Sequence, residues 1–186
     1  MYIDKNAAFV VLDVQKAIDL PVWGVRNNPD AEAKMSHLLR AWRQTSRPVF
    51  HVRHDSNEVG SGYRPDSPTH AFKEDVLPLA GETIIGKNTH SAFVGTGFDV
   101  MLRSQGIEQV FLCGVKTNNS IETSVRHGAN LGLNILLIED ACFTHNQTDW
   151  NGVERSAEEV HAMSLANLAG EYCQIVSAQL VLDSLL

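Results

Sequence analysis

Three polar positions interrupt apolar stretches of this sequence, and their side chains could together do acid–base or nucleophilic chemistry. Asp13 lies near the end of AAFVVLDV, Lys87 closes ETIIGK, and Ser120 ends the tetrad Thr117, Asn118, Asn119, Ser120 after QVFLCGV. A carboxylate on an apolar strand is expensive unless it is paired. A nearby ammonium would keep it ionised and ready to act as a base. A serine at the start of a helix stands where free N–H groups and the positive dipole end can steady a developing oxyanion. Singly, each residue has an ordinary explanation. Asp13 could bond a neighbouring loop, Lys87 could be a solvated lysine, and Ser120 could cap a helix. One cap is enough for a helix, however, and TNNS offers four candidates. The functional reading requires Asp13, Lys87 and Ser120 to converge.

The elements that would bring them together alternate. Residues 7–14, 48–54, 82–87, 109–115, 134–140 and 173–178 read as strands, several of them almost continuously apolar. That is the pattern of a parallel sheet covered on both faces. Residues 29–45, 97–105, 118–131 and 156–169 read as helices between them. The first has Pro29 and acidic residues at its start, and the last opens on a Ser156/Glu159 capping box. Alternation of this kind predicts right-handed βαβ units in a three-layer α/β, Rossmann-like domain over 1–186. A doubly wound parallel sheet of about six strands, ordered 3-2-1-4-5-6, would place strands one and four side by side. Its site lies beyond the carboxyl ends of the strands at the point where the winding reverses. Asp13 and Ser120 should then lie within ~8 Å of each other. Asp140 and His145, at the end of the fifth strand, are further polar residues on that rim. Two stretches without periodicity, 55–80 and 143–155, are candidate functional loops.

Bulk properties exclude several classes. The chain has 186 residues with a formal net charge of −7, and 44% hydrophobic and 20% charged residues. No basic cluster suggests nucleic-acid binding, and no segment has the length and apolarity of a membrane span. Cys113, Cys142 and Cys173 form no CxxC and read as buried reduced thiols, which suits a cytoplasmic protein. The N-terminal run reads as a first strand, without the charged and cleavable flanks of a signal peptide.

VVLDVQKA, IIGKNTHSAFVGT and CGVKTNNSIETSVRHGANLG, in that order and in those strand contexts, resemble the isochorismatase-like hydrolase superfamily. This group includes nicotinamidases, ureide amidohydrolases and isochorismatase. The likeness runs from Tyr2 to beyond Tyr172. It implies that Asp13 is the acid/base and Lys87 its lysine partner, with Ser120 at the position of the family's nucleophilic cysteine. It also implies a cis peptide between Val115 and Lys116, whose N–H would join that of Ser120 at a substrate oxygen. His54, Asn119, Phe93 and His145 are the expected substrate-binding residues. Metal-binding members use an aspartate and two histidines near the region of His51 and His54. Here HVRHDS puts the two rings on opposite faces of a strand, so no metal site is expected. His51 reads as a core histidine. A small-molecule substrate, no cofactor and a homo-oligomer complete the expectation, with segment 118–131 and Trp150 against a neighbouring subunit.

The serine is the departure. A hydroxyl is far less acidic than a thiol and is usually activated by histidine, for which His90 is the nearest candidate. Cys113, inside a strand and before Gly114, is no substitute. Three readings follow. Ser120 is a nucleophile cleaving a small amide or ureide; or Asp13 is a general acid on a vinyl ether and Ser120 only a hydrogen-bond partner; or the fold is a binding module without turnover. A dianionic vinyl ether would need cations, with Arg53, Arg64, Lys73 and Lys116 as candidates. The first reading keeps the amidase pattern around TNNSIE. Replacing Lys87 is expected to move the pH–rate profile with little loss of stability.

Overall fold

The computed structural model describes residues 1–185; residue 186, the last of the expected domain, lies outside them. Six strands form one sheet: β1 (Ala8–Leu12), β2 (Val49–His54), β3 (Thr83–Lys87), β4 (Gln109–Val115), β5 (Asn134–Phe143) and β8 (Gln174–Val176). Their order is β3-β2-β1-β4-β5-β8, and every pair is parallel. A two-stranded hairpin, β6 (Gln147–Thr148) with β7 (Glu154–Arg155), stands apart from it. β1 and β4 are fully buried along their length, as their unbroken apolar sequences require.

Helices α1 (Ala31–Gln44) and α5 (Ala178–Leu185) cover one face of the sheet; α2 (Phe98–Ser104), α3 (Glu122–Asn130) and α4 (Ala157–Leu168) cover the other. Trp42 of α1 packs on Phe9 and Phe111, with ring centroids 5.1 and 5.0 Å away. Its indole N–H donates to the Ala7 carbonyl at 2.9 Å, so the buried ring leaves no unpaired donor. α4 carries the expected capping box, Ser156 and Glu159 each bonding the other's backbone N–H. α5 was not anticipated from the sequence. Its first N–H, from Ala178, donates to Asp140 Oδ1 at 2.7 Å, and Asp140 also pairs with Lys34 at 3.1 Å. Asp140 therefore anchors a helix and is not part of the rim chemistry.

The winding reverses between β1 and β4. At that point the chain approaches itself so closely that a side chain at Gly114 would collide with the Leu12 carbonyl. Gly114 also has φ +130°, where L side chains are strained, so glycine is required there twice over. The three cysteines are buried and unpaired. Among the described residues no helix is long and apolar enough to cross a membrane.

Candidate active site

Asp13 is the first residue beyond β1 and sits in the left-handed region, at φ +59°. Aspartate tolerates this conformation better than most residues. Its N–H donates to the Val52 carbonyl at 2.8 Å and its own carbonyl accepts from Gln15 N–H at 2.9 Å. The buried Gln15 side chain then ties three segments together, bonding the His54 N–H, the His54 carbonyl and the His70 carbonyl at 2.7, 3.1 and 2.7 Å. The Asp13 carboxylate is thus fixed at the sheet's rim by backbone and by Gln15.

Lys87 ends β3, two strands and so ~9–10 Å from β1. Lysine's four-carbon stem closes that gap. Its ammonium is fully buried and donates to Asp13 Oδ2 at 2.6 Å. Three further acceptors surround it: the Thr89 carbonyl at 3.1 Å, and His54 Nδ1 and Ser120 Oγ, each at 3.3 Å. Four acceptors face three protons. The two longest contacts compete, and no spare proton is left on the nitrogen. Asp13 Oδ2 and Ser120 Oγ lie within about 6 Å of each other, since the same ammonium holds both. Asp13 Oδ1 is buried without a hydrogen-bond partner. A buried ionised oxygen left this way is costly, and such exceptions call for an explanation.

Ser120 does not cap a helix. The segment Thr117–Ile121 forms a single π-helical turn before α3, and neither helix start receives a side-chain cap. Each member of the tetrad has a separate role. Thr117 Oγ1 bonds His161 Nδ1 at 2.9 Å. Asn118 donates to Gln147 at 2.7 Å and accepts from Thr144 at 2.6 Å. Asn119 faces a cavity, as does Ser120. The peptide bond between Val115 and Lys116 is cis.

That cavity has a volume of about 130 Å³ and opens directly on Asp13, Ser120, Val115, Lys116, Asn119 and His54. Pockets for drug-sized ligands run to ~300–1,000 Å³, so this one suits a small molecule. His54 is held below the usual histidine range by burial, then by the Lys87 charge, which leaves Nδ1 free to accept. His90 stacks on His54 with ring centroids 6.5 Å apart; it contacts the cavity and not Ser120. His51 is buried on the opposite side of β2 and bonds Glu82 at 2.9 Å. Among the described residues no cluster of three metal-ligating side chains occurs.

Two expected substrate-binding residues fall elsewhere. Phe93 is packed into the core, stacked on Phe98 at 5.4 Å and tilted against His127 at the same distance. Ser91 and Ala92 precede it, and the phenyl ring has more apolar surface to bury inward than toward a small polar cavity. His145 lies one layer back, behind Trp23, with ring centroids 6.2 Å apart. Burial, reinforced by the charges of Lys116 and Arg26, lowers it to about 4. Trp23 and Tyr63 take the places on the wall, in edge contact with each other at 6.4 Å, and Tyr63 also meets His54 edge-on at 5.7 Å. Ser56, Glu58 and Ser61 join them from loop 55–80, whereas loop 143–155 forms the outlying hairpin.

The cations proposed for an anionic pocket are mostly committed elsewhere. Lys73 bridges Asp19 and Glu32, both at 2.7 Å; Arg64 pairs with Asp66 at 2.9 Å; Arg53 pairs with Asp55 at 3.0 Å. Only Lys116 of the four lines the cavity.

Comparison with known proteins bears on the fold and the family. The isochorismatase domain profile matches residues 7–179. A crystal structure of a hydrolase of the isochorismatase family from Chromobacterium violaceum superposes with a TM-score of 0.96 at 49% identity, covering 99% of this chain and 95% of that one. The isochorismatase family protein YrdC of Bacillus subtilis is 35% identical, over 97% of each chain. Nicotinamidase 3 of Arabidopsis thaliana is 27% identical over 98% of this chain and 90% of its own. A parallel sheet wound in this order, with this match along nearly its whole length, makes the chain a member of the isochorismatase family of hydrolases.

Proposed function

We propose that the protein hydrolyses a C–N bond in a small amide or ureide, with Asp13, Lys87 and Ser120 as the reacting group. The observation that carries this reading is the state of Asp13: one oxygen is held by Lys87, and the other is buried and unpartnered in the carboxylate beside Ser120. A carboxylate so placed can take the Ser120 hydroxyl proton as Oγ adds to the substrate carbonyl carbon. The tetrahedral oxygen would accept hydrogen bonds from the N–H groups of Lys116 and Ser120. Collapse breaks the C–N bond, and Asp13 returns its proton to the departing nitrogen. A water molecule, giving its proton to Asp13, then adds to the resulting ester. Ser120 leaves as the alkoxide, recovers that proton from Asp13, and the acid product is released.

Lys87 keeps Asp13 oriented through both steps. A relative named for nicotinamide hydrolysis supports an amide substrate. A dianionic vinyl ether fits less well, since Arg53, Arg64 and Lys73 are already paired with carboxylates.

The test is a panel of small amides and ureides, with isochorismate, on the purified protein and three variants. Ser120→Ala should abolish turnover, Ser120→Cys should raise it by offering the same base a more acidic group, and Asp13→Asn should be nearly inactive. A Ser120→Ala enzyme slowed only ~10- to 100-fold would instead make Ser120 a hydrogen-bond partner and Asp13 a general acid. An unimpaired Ser120→Ala enzyme would end the nucleophile reading.

A further inference from the structure

Lys116 is half-buried on the cavity wall, directly after Val115 and four residues before Ser120. Its ammonium lies 5.0 Å from the centre of the Trp23 ring. Among the described residues it has no carboxylate within ion-pair distance and no side-chain hydrogen bond; its cation–π contact with Trp23 is its only electrostatic partner. A partly desolvated ammonium normally finds an anion, because burial penalises an uncompensated charge. Lys73, the comparably buried lysine, has two carboxylates. Burial pushes the Lys116 ammonium below the usual lysine range with nothing opposing it. The neighbouring His145 is neutral, so it adds no competing positive charge.

The nearby negative groups do not fill the vacancy. Asp13 is held on Lys87, and Glu58, the other carboxylate on the wall, forms no ion pair with Lys116. A cation on the wall of a small cavity, steadied by an aromatic face and beside the hydroxyl, is placed to receive one end of a short substrate. Trp23 fixes it there, its own indole N–H donating to the Ala17 carbonyl at 2.7 Å.

We infer that Lys116 is a specificity-determining residue that binds a carboxylate on the substrate, so that the substrate is a small amide or ureide carrying one carboxylate. This rests on the amide reading for the reacting end, and on the unpaired Lys116 for the other. One available cation matches one anionic group, and the cavity of about 130 Å³ limits the length between the two ends.

Two measurements separate this inference from the reaction itself. In the first, butyrate and its neutral counterpart butanamide are titrated calorimetrically into the native protein, Lys116→Met and Lys116→Arg. Butyrate should bind the native protein more tightly than butanamide does. It should weaken ~10- to 100-fold in Lys116→Met, the loss expected for a charge-assisted hydrogen bond, and recover in Lys116→Arg. Equal butyrate binding by the native protein and Lys116→Met, with thermal melts showing both folded, overturns the inference.

In the second, succinamate is compared with succinamide as substrate. The native enzyme should favour succinamate in kcat/KM, chiefly through KM, and Lys116→Met should lose most of that preference. Equal use of the two amides by the native enzyme also overturns the inference. Loss of butyrate binding in Lys116→Met, with neither amide turned over, would support the carboxylate site and count against the amide reading.

Discussion

Lys87→Met offers a direct test of how the site is held together. Methionine keeps the length and apolar bulk of the stem but removes the ammonium. In the structure that ammonium is fully buried, and it is the only partner of the Asp13 carboxylate among the described residues. Its removal leaves both carboxylate oxygens without a partner and takes the donor from the Thr89 carbonyl, His54 Nδ1 and Ser120 Oγ. Breaking a buried ion pair from one side costs ~3–5 kcal/mol, mostly for the charge left behind. The sequence had suggested a lysine whose loss would scarcely disturb the fold; its burial corrects that view. For a chain of this length the expected fall in Tm is ~6–20 °C. Urea denaturation of the native protein, Lys87→Met, Asp13→Asn and the double variant measures it directly. The double variant should recover part of the loss, because a neutral amide is cheaper to bury unpaired than a carboxylate. A Lys87→Met protein within about 0.5 kcal/mol of the native one would refute the reasoning, since that is the range of ordinary surface substitutions. So would a double variant less stable than Lys87→Met.

Three other outcomes are expected. Acid should destabilise the protein in two overlapping stages. Lowered histidines bind protons more readily when unfolded, so the His145 contribution is present above about 6.5 and disappears as pH falls toward about 4. Glu32 and Glu82, each at about 2 because ion pairs with Arg26, Lys73 and Arg43 outweigh burial, lose theirs between about 4.5 and 2. His145→Gln should flatten the first stage of a Tm-against-pH curve; an unchanged curve above pH 4 would remove His145 from the account. Ser120→Cys should raise kcat on whichever amide is found, and a fall would refute the claim that the weak acidity of the hydroxyl limits the rate. Finally, the chain should form a homo-oligomer through the hairpin face, where Trp150 is 96% exposed and Met163 63% exposed beside a groove of about 860 Å³. Sedimentation at micromolar concentration should show a species larger than the monomer that Trp150→Ala shifts downward, and a native monomer would refute it.

The sheet was legible because its physics is local. A strand buried on both faces must be apolar throughout, and AAFVVLDV and QVFLCGV say so in eight and seven letters. Strand order followed from alternation and handedness, and it put Asp13 and Ser120 beyond the ends of neighbouring strands without any knowledge of loops. What the pattern left out was equally physical. α5 has the amphipathic composition of a helix but follows a three-residue edge strand and lies almost wholly beyond 173–178, the last element expected from the sequence; at eight residues it offers too little periodicity to stand out. β5 runs on to Phe143 across an irregular register near Gly114, a detail set by how two strands meet and not by either sequence alone.

The reacting residues were legible for a further reason: each is the wrong type for its surroundings. A carboxylate after VVL and a lysine after IIG are anomalies that burial penalises, and convergence pairs the two charges with each other. The cavity wall carries no such mark. Trp23 lies in PVWGVR and Tyr63 in SGYRPD, ordinary loop contexts where an aromatic residue is as much at home facing solvent as facing a ligand. Tyr63 comes from loop 55–80, which Gln15 ties to the end of β2 by contacts spanning up to 55 residues of chain, and Trp23 is held by its indole bond to the Ala17 carbonyl. Phe93 shows the converse error. It stands in a motif with functional neighbours, yet the free energy of burying a phenyl ring, ~1.5–3 kcal/mol, sends it inward against Phe98. Proximity to a motif in sequence therefore says little about which side of the backbone a residue takes. Lys116 is the useful intermediate case: its charge marked it as notable in the sequence. Only the structure separates it from Arg53, Arg64 and Lys73, because in the folded chain those three already have their carboxylates and Lys116 has none among the described residues.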